Sequence, residues 1–129
     1  MFIIGEFKKL TNEEMNLMKI MWELKREVTP SELLLIIEET RGKKWAKQTI
    51  GTILGRMVDK GVITCSKRGR NNYYIPTVTV KEYEQLEARE VLSNMYKGSI
   101  KNFLSALYYD KKKMSKKDIE ELKEWFSDK

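Results

Sequence analysis

Apolar residues recur with helical spacing over the first sixty residues and predict three helices there. The first runs from about residue 12 to 25 and is apolar around much of its circumference, which favours burial. The second spans 30–41 and ends at a glycine. The third spans 46–60, with apolar residues at i, i+3, i+4, i+7 and i+8: Ile50, Ile53, Leu54, Met57 and Val58. That spacing predicts a stripe that faces the core, with the opposite side in solvent.

Helix starts are marked by a recurring pattern. A Ser or Thr followed three residues later by an acid predicts a capping box, in which each side chain accepts a hydrogen bond from the other residue's backbone N–H. The pattern occurs at Thr11 with Glu14, at Thr29 with Glu32, and at Ser115 with Asp118. The third helix lacks it, because Ala46 stands at the expected cap and has no side-chain acceptor.

The periodicity changes after Gly61, where two short β-prone runs predict a hairpin. VITCSK (62–67) and YYIPTV (73–78) are the expected strands, and the basic, turn-rich RGRNN (68–72) is the expected tip. Pro76 suits an edge strand because it has no backbone N–H. Three helices followed by a two-stranded hairpin is the element order of a winged helix-turn-helix domain, whose third helix enters the major groove of DNA.

The rest of the chain is predicted to be helical, over 80–97, 99–109 and 116–127. We therefore predict a mainly α fold with a small β-hairpin. It comprises an N-terminal winged helix-turn-helix domain at 1–78 and a C-terminal three-helix dimerisation region at 79–129.

The C-terminal helices are the candidate dimer interface. Three amphipathic helices within about fifty residues form a marginal core by themselves, and exposed aromatic side chains favour cover by a second chain. The alternative is that these helices fold back onto the winged domain of their own chain. The predicted interface residues are Tyr83, Leu92, Tyr96, Ile100, Phe103, Leu104, Leu107, Leu122, Trp125 and Phe126.

Positive charge is concentrated around the third helix and the hairpin. The whole chain has a net charge of +6, but residues 41–70 hold nine basic residues and one acid, a local charge of +8. A cluster of this density is typical of a protein that binds a polyanion. A solvated basic surface is the alternative, and charge alone does not separate the two.

Residue usage argues against an enzyme. The chain has no histidine and one cysteine, Cys65, so it lacks the commonest general base and cannot form an internal disulfide or thiolate cluster. No nucleophile–base arrangement or phosphate-binding glycine loop is visible, and we expect no cofactor and no metal site. The start of the chain lacks the basic region of a signal peptide, and no apolar run has the length of a membrane span. We therefore expect a cytoplasmic protein without membrane insertion.

Ten polar residues are the candidate DNA contacts: Lys43, Lys44, Lys47, Gln48, Thr49, Thr52, Arg56, Lys67, Arg68 and Arg70. Those on the third helix suit base edges, and those on the hairpin suit phosphates. Gly51 and Gly55 lie towards the same side of the third helix, although each costs about 1 kcal/mol against alanine there. We interpret them as allowing close approach of the backbone to DNA. Close packing against another helix is the alternative.

The favoured function is sequence-specific binding of double-stranded DNA. A winged-helix protein-interaction module and a non-specific DNA-coating protein are the alternatives. Salt-dependent DNA affinity would separate DNA binding from the interaction module. A comparison of the protein's own promoter with random DNA would separate sequence-specific binding from non-specific coating.

Several stretches carry a more specific signal. They are LTNEEMNLMKIMWELKREVTPSELLLII, KQTIGTILGRMVDKGVI and RNNYYI within residues 10–78, followed by VLSNMYKGSIKNFLSAL and SKKDIEELKEWF. Together they resemble the bacterial penicillinase repressor family, the BlaI/MecI/CopY group, over nearly the whole chain. The resemblance implies a homodimeric repressor whose winged-helix domain binds a palindromic operator and whose C-terminal helices form the dimer interface.

The resemblance also implies routes to derepression, and this sequence departs from both. In the β-lactam branch a membrane sensor-metalloprotease cleaves an Asn–Phe bond in the dimerisation helices. Here Ala106–Leu107 aligns with that bond, and an Asn102–Phe103 pair occurs four residues earlier. In the copper branch metal binds paired C-terminal cysteines, which this chain lacks. A sensor protease is therefore a candidate partner, and the inducing signal stays open.

Overall fold

The computed structural model describes residues 7–109 and 115–128 and divides the chain into two compact units, 1–87 and 88–129. The elements in chain order are α1 (Asn12–Leu24), α2 (Pro30–Arg41), α3 (Lys47–Asp59), β1 (Ile63–Arg68), β2 (Asn71–Pro76), α4 (Val80–Tyr96), α5 (Ile100–Tyr109) and α6 (Lys116–Ser127). The predicted fold class is confirmed, and each predicted helix end lies within one residue of the observed one. The start of the chain, where we expect no signal peptide, lies outside the described residues.

Hydrogen-bonded caps explain where the helices begin. The capping boxes predicted at Thr11, Thr29 and Ser115 are all present. Thr79 and Glu82 exchange the same two hydrogen bonds at the start of α4. Ala46 precedes α3 without a side-chain cap, as its missing acceptor predicts.

One hydrophobic core holds the first unit together. Its helices contribute the buried side chains Leu17, Met18, Met21, Leu33, Ile37, Ile50, Leu54 and Met57. Burial of each such side chain contributes about 1.5–3 kcal/mol relative to exposure. The stripe predicted on α3 therefore faces the core.

The hairpin, which we call the wing, is joined to the helical body by a third extended segment. β1 and β2 pair antiparallel, beginning with Ile63 opposite Pro76. Val28, between α1 and α2, pairs with Tyr74 of β2 through two backbone hydrogen bonds of 3.0 and 2.8 Å. These bonds fix one edge of the wing to the connection between the first two helices.

The turn of the wing is tighter than its sequence suggests. The predicted tip at 68–72 is too wide, because Arg68 and Asn71 still face each other in the β ladder. Only Gly69 and Arg70 form the turn. Gly69 has a φ of +62°, a conformation that two-residue hairpin turns require and that glycine adopts without strain.

The first turns of α4 belong to the first unit. Tyr83 is only 2% exposed, its hydroxyl oxygen accepts a hydrogen bond from the Leu10 N–H at 3.0 Å, and its ring packs against Phe7 and Trp22. The structure differs from the sequence predictions at two points. Tyr83, a predicted dimer-interface residue, is buried within its own chain, and the compact first unit extends to Glu87, beyond the predicted boundary at residue 78.

The second unit lacks a comparable core. Among residues 88–108 and 115–128, no side chain is buried. The largest exposed fractions of apolar side chains there are 72% for Met95, 60% for Ile100 and 56% for Phe126. No helix of the described ranges has the length and apolarity that a membrane crossing requires.

Candidate nucleic-acid interface

The two sides of α3 differ in burial and in chemistry. Ile50, Leu54 and Met57 are fully buried on one side. The exposed residues on the other side, which we call the α3 face, are Lys47, Gln48, Thr49, Gly51, Thr52, Gly55, Arg56 and Asp59. All the candidate DNA contacts predicted on this helix therefore share one solvent-facing surface.

Gly51 and Gly55 leave two open places in the α3 face. A Cβ atom added to either glycine meets no described atom within 4 Å beyond the adjacent residues and the helix's own nearby backbone. Close packing against another described helix of the chain therefore does not explain them. Without side chains at these places, the backbone of α3 can approach a ligand more closely than any other residue would allow.

The first turns of α3 have two notable features: Thr52 is hydrogen-bonded to the helix backbone, and the helix begins without a side-chain cap. The hydroxyl of Thr52 donates to the carbonyl oxygen of Gln48 at 3.1 Å. With its proton used in this way, Thr52 presents a methyl group and acceptor lone pairs. Ala46 provides no side-chain cap. The N–H groups of Lys47 and Gln48 are therefore open to an anion such as a phosphate, whereas that of Thr49 donates to the Ala46 carbonyl oxygen at 3.0 Å.

The loop before α3 presents two lysines and is anchored by a tryptophan. Gly42 ends α2 in the left-handed conformation with a φ of +63°, and exposed Lys43 and Lys44 follow. Trp45 is half-buried and packs against the core, so it holds the start of α3 to the body. This role of Trp45 is not among the sequence predictions, although an aromatic residue between a basic run and a helix start was an available signal.

Two of the three basic residues of the wing are exposed to solvent and available to a ligand. Lys67 and Arg70 are exposed and make no ion pair with any described residue. Arg68 is held instead. Its Nη2 lies 2.6 Å from Oε2 of Glu27, and its guanidinium carbon lies 3.9 Å from the centroid of the Tyr73 ring. The phosphate contact predicted for Arg68 therefore competes with partners inside the protein.

Lys60 is held within the protein as well. Its Nζ lies 2.5 Å from Oε1 of Glu14 and 3.0 Å from the carbonyl oxygen of Lys9. Removing Lys60 and Arg68 from the nine basic residues of 41–70 leaves seven that form no ion pair with the described residues: Arg41, Lys43, Lys44, Lys47, Arg56, Lys67 and Arg70.

Glu14 links the start of α1 to the end of α3. Burial alone would raise the pKa of its carboxyl, but hydrogen bonds from Lys60 and Thr11 and the positive charge of Lys60 outweigh burial and lower that pKa. The carboxylate therefore stays charged while only 2% exposed. Because Lys60 directly follows α3, this ion pair helps to fix the direction in which the α3 face points.

The sequence profile of the penicillinase repressor family matches residues 10–128, which is nearly the whole chain. The chain belongs to this family. The resemblance stated from the sequence is thereby confirmed. Members of the penicillinase repressor family are DNA-binding transcriptional repressors, so the chain is a regulator of transcription and not an enzyme.

Individual members of the family match this chain over most of their own length. The chain is 25% identical over 114 residues to the penicillinase repressor of Bacillus licheniformis, covering 88% of this chain and 86% of the relative. It is 28% identical over 116 residues to the methicillin resistance regulatory protein MecI of Staphylococcus aureus strain N315, covering 89% and 90%. A solution structure of monomeric Bacillus licheniformis BlaI with the blaP half-operator is 26% identical, with a TM-score of 0.48, and covers 60% of this chain and 90% of that one.

The other predicted interface residues of this penicillinase repressor family member lie in its second unit. They are Leu92, Tyr96, Ile100, Phe103, Leu104, Leu107, Leu122, Trp125 and Phe126. All nine are half-buried or exposed in the single chain. Two local ring contacts occur among them, Tyr96 with Phe103 at 5.2 Å and Trp125 with Phe126 at 4.9 Å between centroids.

Proposed function

We propose that this chain represses transcription as a homodimer that binds a palindromic operator. The α3 face of each protomer lies in the major groove of one half-site, and Lys67 and Arg70 of the wing contact the flanking phosphates. The observation that carries the proposal is the α3 face itself, an exposed polar surface with two open glycine positions on a helix whose other side packs in the core. A repressor of this kind works in the cytoplasm, where bacterial DNA lies.

The side chains of the α3 face suit the edges of base pairs. The amide of Gln48 matches the donor and acceptor of adenine, and the guanidinium of Arg56 matches the two acceptors of guanine. The methyl groups of Thr49 and Thr52 suit the methyl of thymine. Since Thr52 already donates its proton to the helix backbone, its outward chemistry is that of an acceptor and a methyl.

Electrostatics supports the same orientation. The seven basic residues that form no ion pair with the described part of the chain come from the end of α2, the loop before α3, the α3 face and the wing. Two protomers bring fourteen such charges, which is enough to neutralise about 6–10 phosphates without using every side chain. Affinity should then fall by about 10³–10⁵ between 50 and 200 mM salt.

The second unit supports the homodimer. Ile100 is 60% exposed, Trp125 54% and Phe126 56%. Apolar surface of this extent is costly in water, and a second copy of the same helices would cover it. A two-fold symmetric dimer also matches the symmetry of a palindromic operator.

We further propose that repression is relieved by a signal that acts on the second unit, with cleavage by a sensor protease as the candidate route. Asn102–Phe103 and Ala106–Leu107 both lie within α5, so cleavage at either bond would separate α4 from α6. Mass spectrometry of the protein recovered from derepressed cells would identify the cleaved bond. Recovery of the intact chain from such cells would contradict cleavage.

Competition between operator and random DNA tests the proposed function with the full-length protein. The operator is first located by a footprint upstream of the protein's own gene and its neighbours. Arg56→Ala should cost about 1–3 kcal/mol on the operator and less on random DNA, because base contacts specify. Thr52→Ala should act in the same direction. Lys67→Ala and Arg70→Ala should weaken binding to both DNAs alike, because phosphate contacts carry no sequence information.

Each alternative function has its own outcome in these measurements. A flat salt titration would contradict the DNA interface and favour the protein-interaction module. Equal affinity for the upstream DNA and random DNA would favour non-specific coating. Equal losses on both DNAs for Arg56→Ala would show that this residue contacts a phosphate rather than a base.

A further inference from the structure

Arg68 reaches across the wing to the segment between α1 and α2. From the end of β1, its guanidinium passes over the ring of Tyr73 on β2 and meets the carboxylate of Glu27 at 2.6 Å. The next residue after Glu27 is Val28, whose two backbone hydrogen bonds with Tyr74 tie the same segment to β2. Backbone and side-chain links between the wing and the helical body therefore lie side by side.

We propose that Glu27, Arg68 and Tyr73 form a clamp that sets the direction of the wing, and that Arg68 is a positioning residue rather than a phosphate contact. The inference rests on the proposed function, because it takes the wing to lie on operator DNA. An isolated two-stranded hairpin is marginally stable. Fixing the wing before DNA binds avoids an ordering cost at the moment of binding and places Lys67 and Arg70 in reach of phosphates.

The competing role for Arg68 predicts effects of opposite sign. To contact a phosphate, its guanidinium would have to leave Glu27, whose carboxylate would then remain near the DNA and repel it. Under that role, Glu27→Gln should tighten operator binding, because it releases Arg68 and removes a negative charge. Under the clamp, the same substitution should weaken operator binding, because the wing loses its side-chain link to the helical body and keeps only the backbone bonds of Val28.

Operator titrations over a range of salt concentrations test the clamp in the full-length protein. We expect Glu27→Gln and Arg68→Met each to weaken operator binding by about two- to fivefold per wing. The double variant should bind the operator as tightly as the single variant with the lower affinity, because both substitutions remove the same link. Lys67→Met is the matched control on β1, and it should reduce the salt slope by about one per chain, whereas Arg68→Met should leave the slope nearly unchanged. Glu23→Gln is the control for removal of an exposed acid and should cause no loss.

Hydrogen exchange of the DNA-free protein provides a readout that does not depend on the operator. The amides of Val28 and Tyr74 should exchange faster in Glu27→Gln and Arg68→Met, and at the native rate in Lys67→Met. Unchanged exchange, tighter operator binding by Glu27→Gln, or a slope lowered by about one per chain in Arg68→Met would each overturn the clamp. Failure of the wild-type protein to prefer operator over random DNA would overturn the proposed function instead, and the exchange rates would still decide whether the clamp exists.

Discussion

The two units of this chain bury their apolar residues to very different extents. In the first unit Leu17, Leu54 and Met57 are fully buried, whereas in the second unit even the aromatic rings of Trp125 and Phe126 are more than half exposed. Both units are built from amphipathic helices, so the difference lies in what the apolar faces meet and not in how the helices form. The first unit buries its apolar residues in a core of its own, while the second unit leaves apolar side chains exposed, and the proposed dimer would cover them.

Removal of the second unit should have the largest effect, on both dimerisation and operator affinity. A chain that ends after Glu87 should fold as a monomer and lose about 10²–10⁴-fold in operator affinity, because the two half-sites are no longer bound as one event. Sedimentation and operator titration measure the two effects. A truncated chain that still sediments as a dimer would place the interface in the first unit and contradict the assignment.

A second truncation tests where the first unit ends. A chain that ends after Thr79 also loses Tyr83, and with it the ring packed on Phe7 and Trp22. Loss of a buried aromatic side chain costs about 3–5 kcal/mol. Urea unfolding should therefore show the shorter chain to be much less stable than the chain ending after Glu87. Equal stability would mean that the first turns of α4 contribute nothing to the first unit.

Local chemistry explains why so much of the fold could be predicted from the sequence. A capping box such as Thr11 with Glu14 is a property of four consecutive residues, and the apolar stripe of α3 lies within one helix. The two open glycines follow from the same helical period. None of these features depends on a distant part of the chain, so pattern and spacing were sufficient.

Features that depend on distant partners could not be predicted in this way. The apolar spacing of α4 is the same whether Tyr83 packs within its chain or against a second one. Counting basic residues also cannot show that Lys60 meets an acid 46 residues away or that Arg68 meets one 41 residues away. Those two ion pairs reduce the free charge of the candidate interface, and only the folded chain shows them.

Alanine substitutions at one leucine in each unit compare the two kinds of packing directly. Leu54→Ala should lower the free energy of unfolding by about 2–5 kcal/mol at any protein concentration, because Leu54 is fully buried within the chain. Leu104→Ala should act mainly through the dimer, so its effect on the melting temperature should shrink as dilution dissociates the wild-type dimer as well. Calorimetry at two concentrations would decide, and a Leu104→Ala effect independent of concentration would contradict the proposed role of the second unit.

The buried ion pair of the first unit should make its stability depend on pH. The folded-state pKa of Glu14 lies below the unfolded value of about 4.3, so its contribution is fully present above the unfolded pKa and is lost as pH falls through the folded pKa. Glu14→Gln should cost about 1–3 kcal/mol at neutral pH, and the difference from wild type should shrink towards about pH 3. Urea unfolding at both pH values measures this. A cost that is equal at both would show that the charge of Glu14 does not matter.

Gly55→Ala should change the stability of the fold least among these substitutions. It nevertheless tests why α3 has glycine at two exposed positions. A Cβ at Gly55 meets no described atom within 4 Å outside its own stretch of helix, so no overpacking is expected. Helix propensity should then stabilise the fold by up to about 1 kcal/mol. The added methyl group should meanwhile hold α3 away from the groove and weaken operator binding. Thermal melts and operator titrations of Gly55→Ala, with Gly51→Ala as the second test, measure both properties. Ser93→Ala, on the exposed part of α4, should leave operator binding unchanged. A Gly55→Ala protein that binds the operator normally would show that close approach to DNA is not the reason for glycine there.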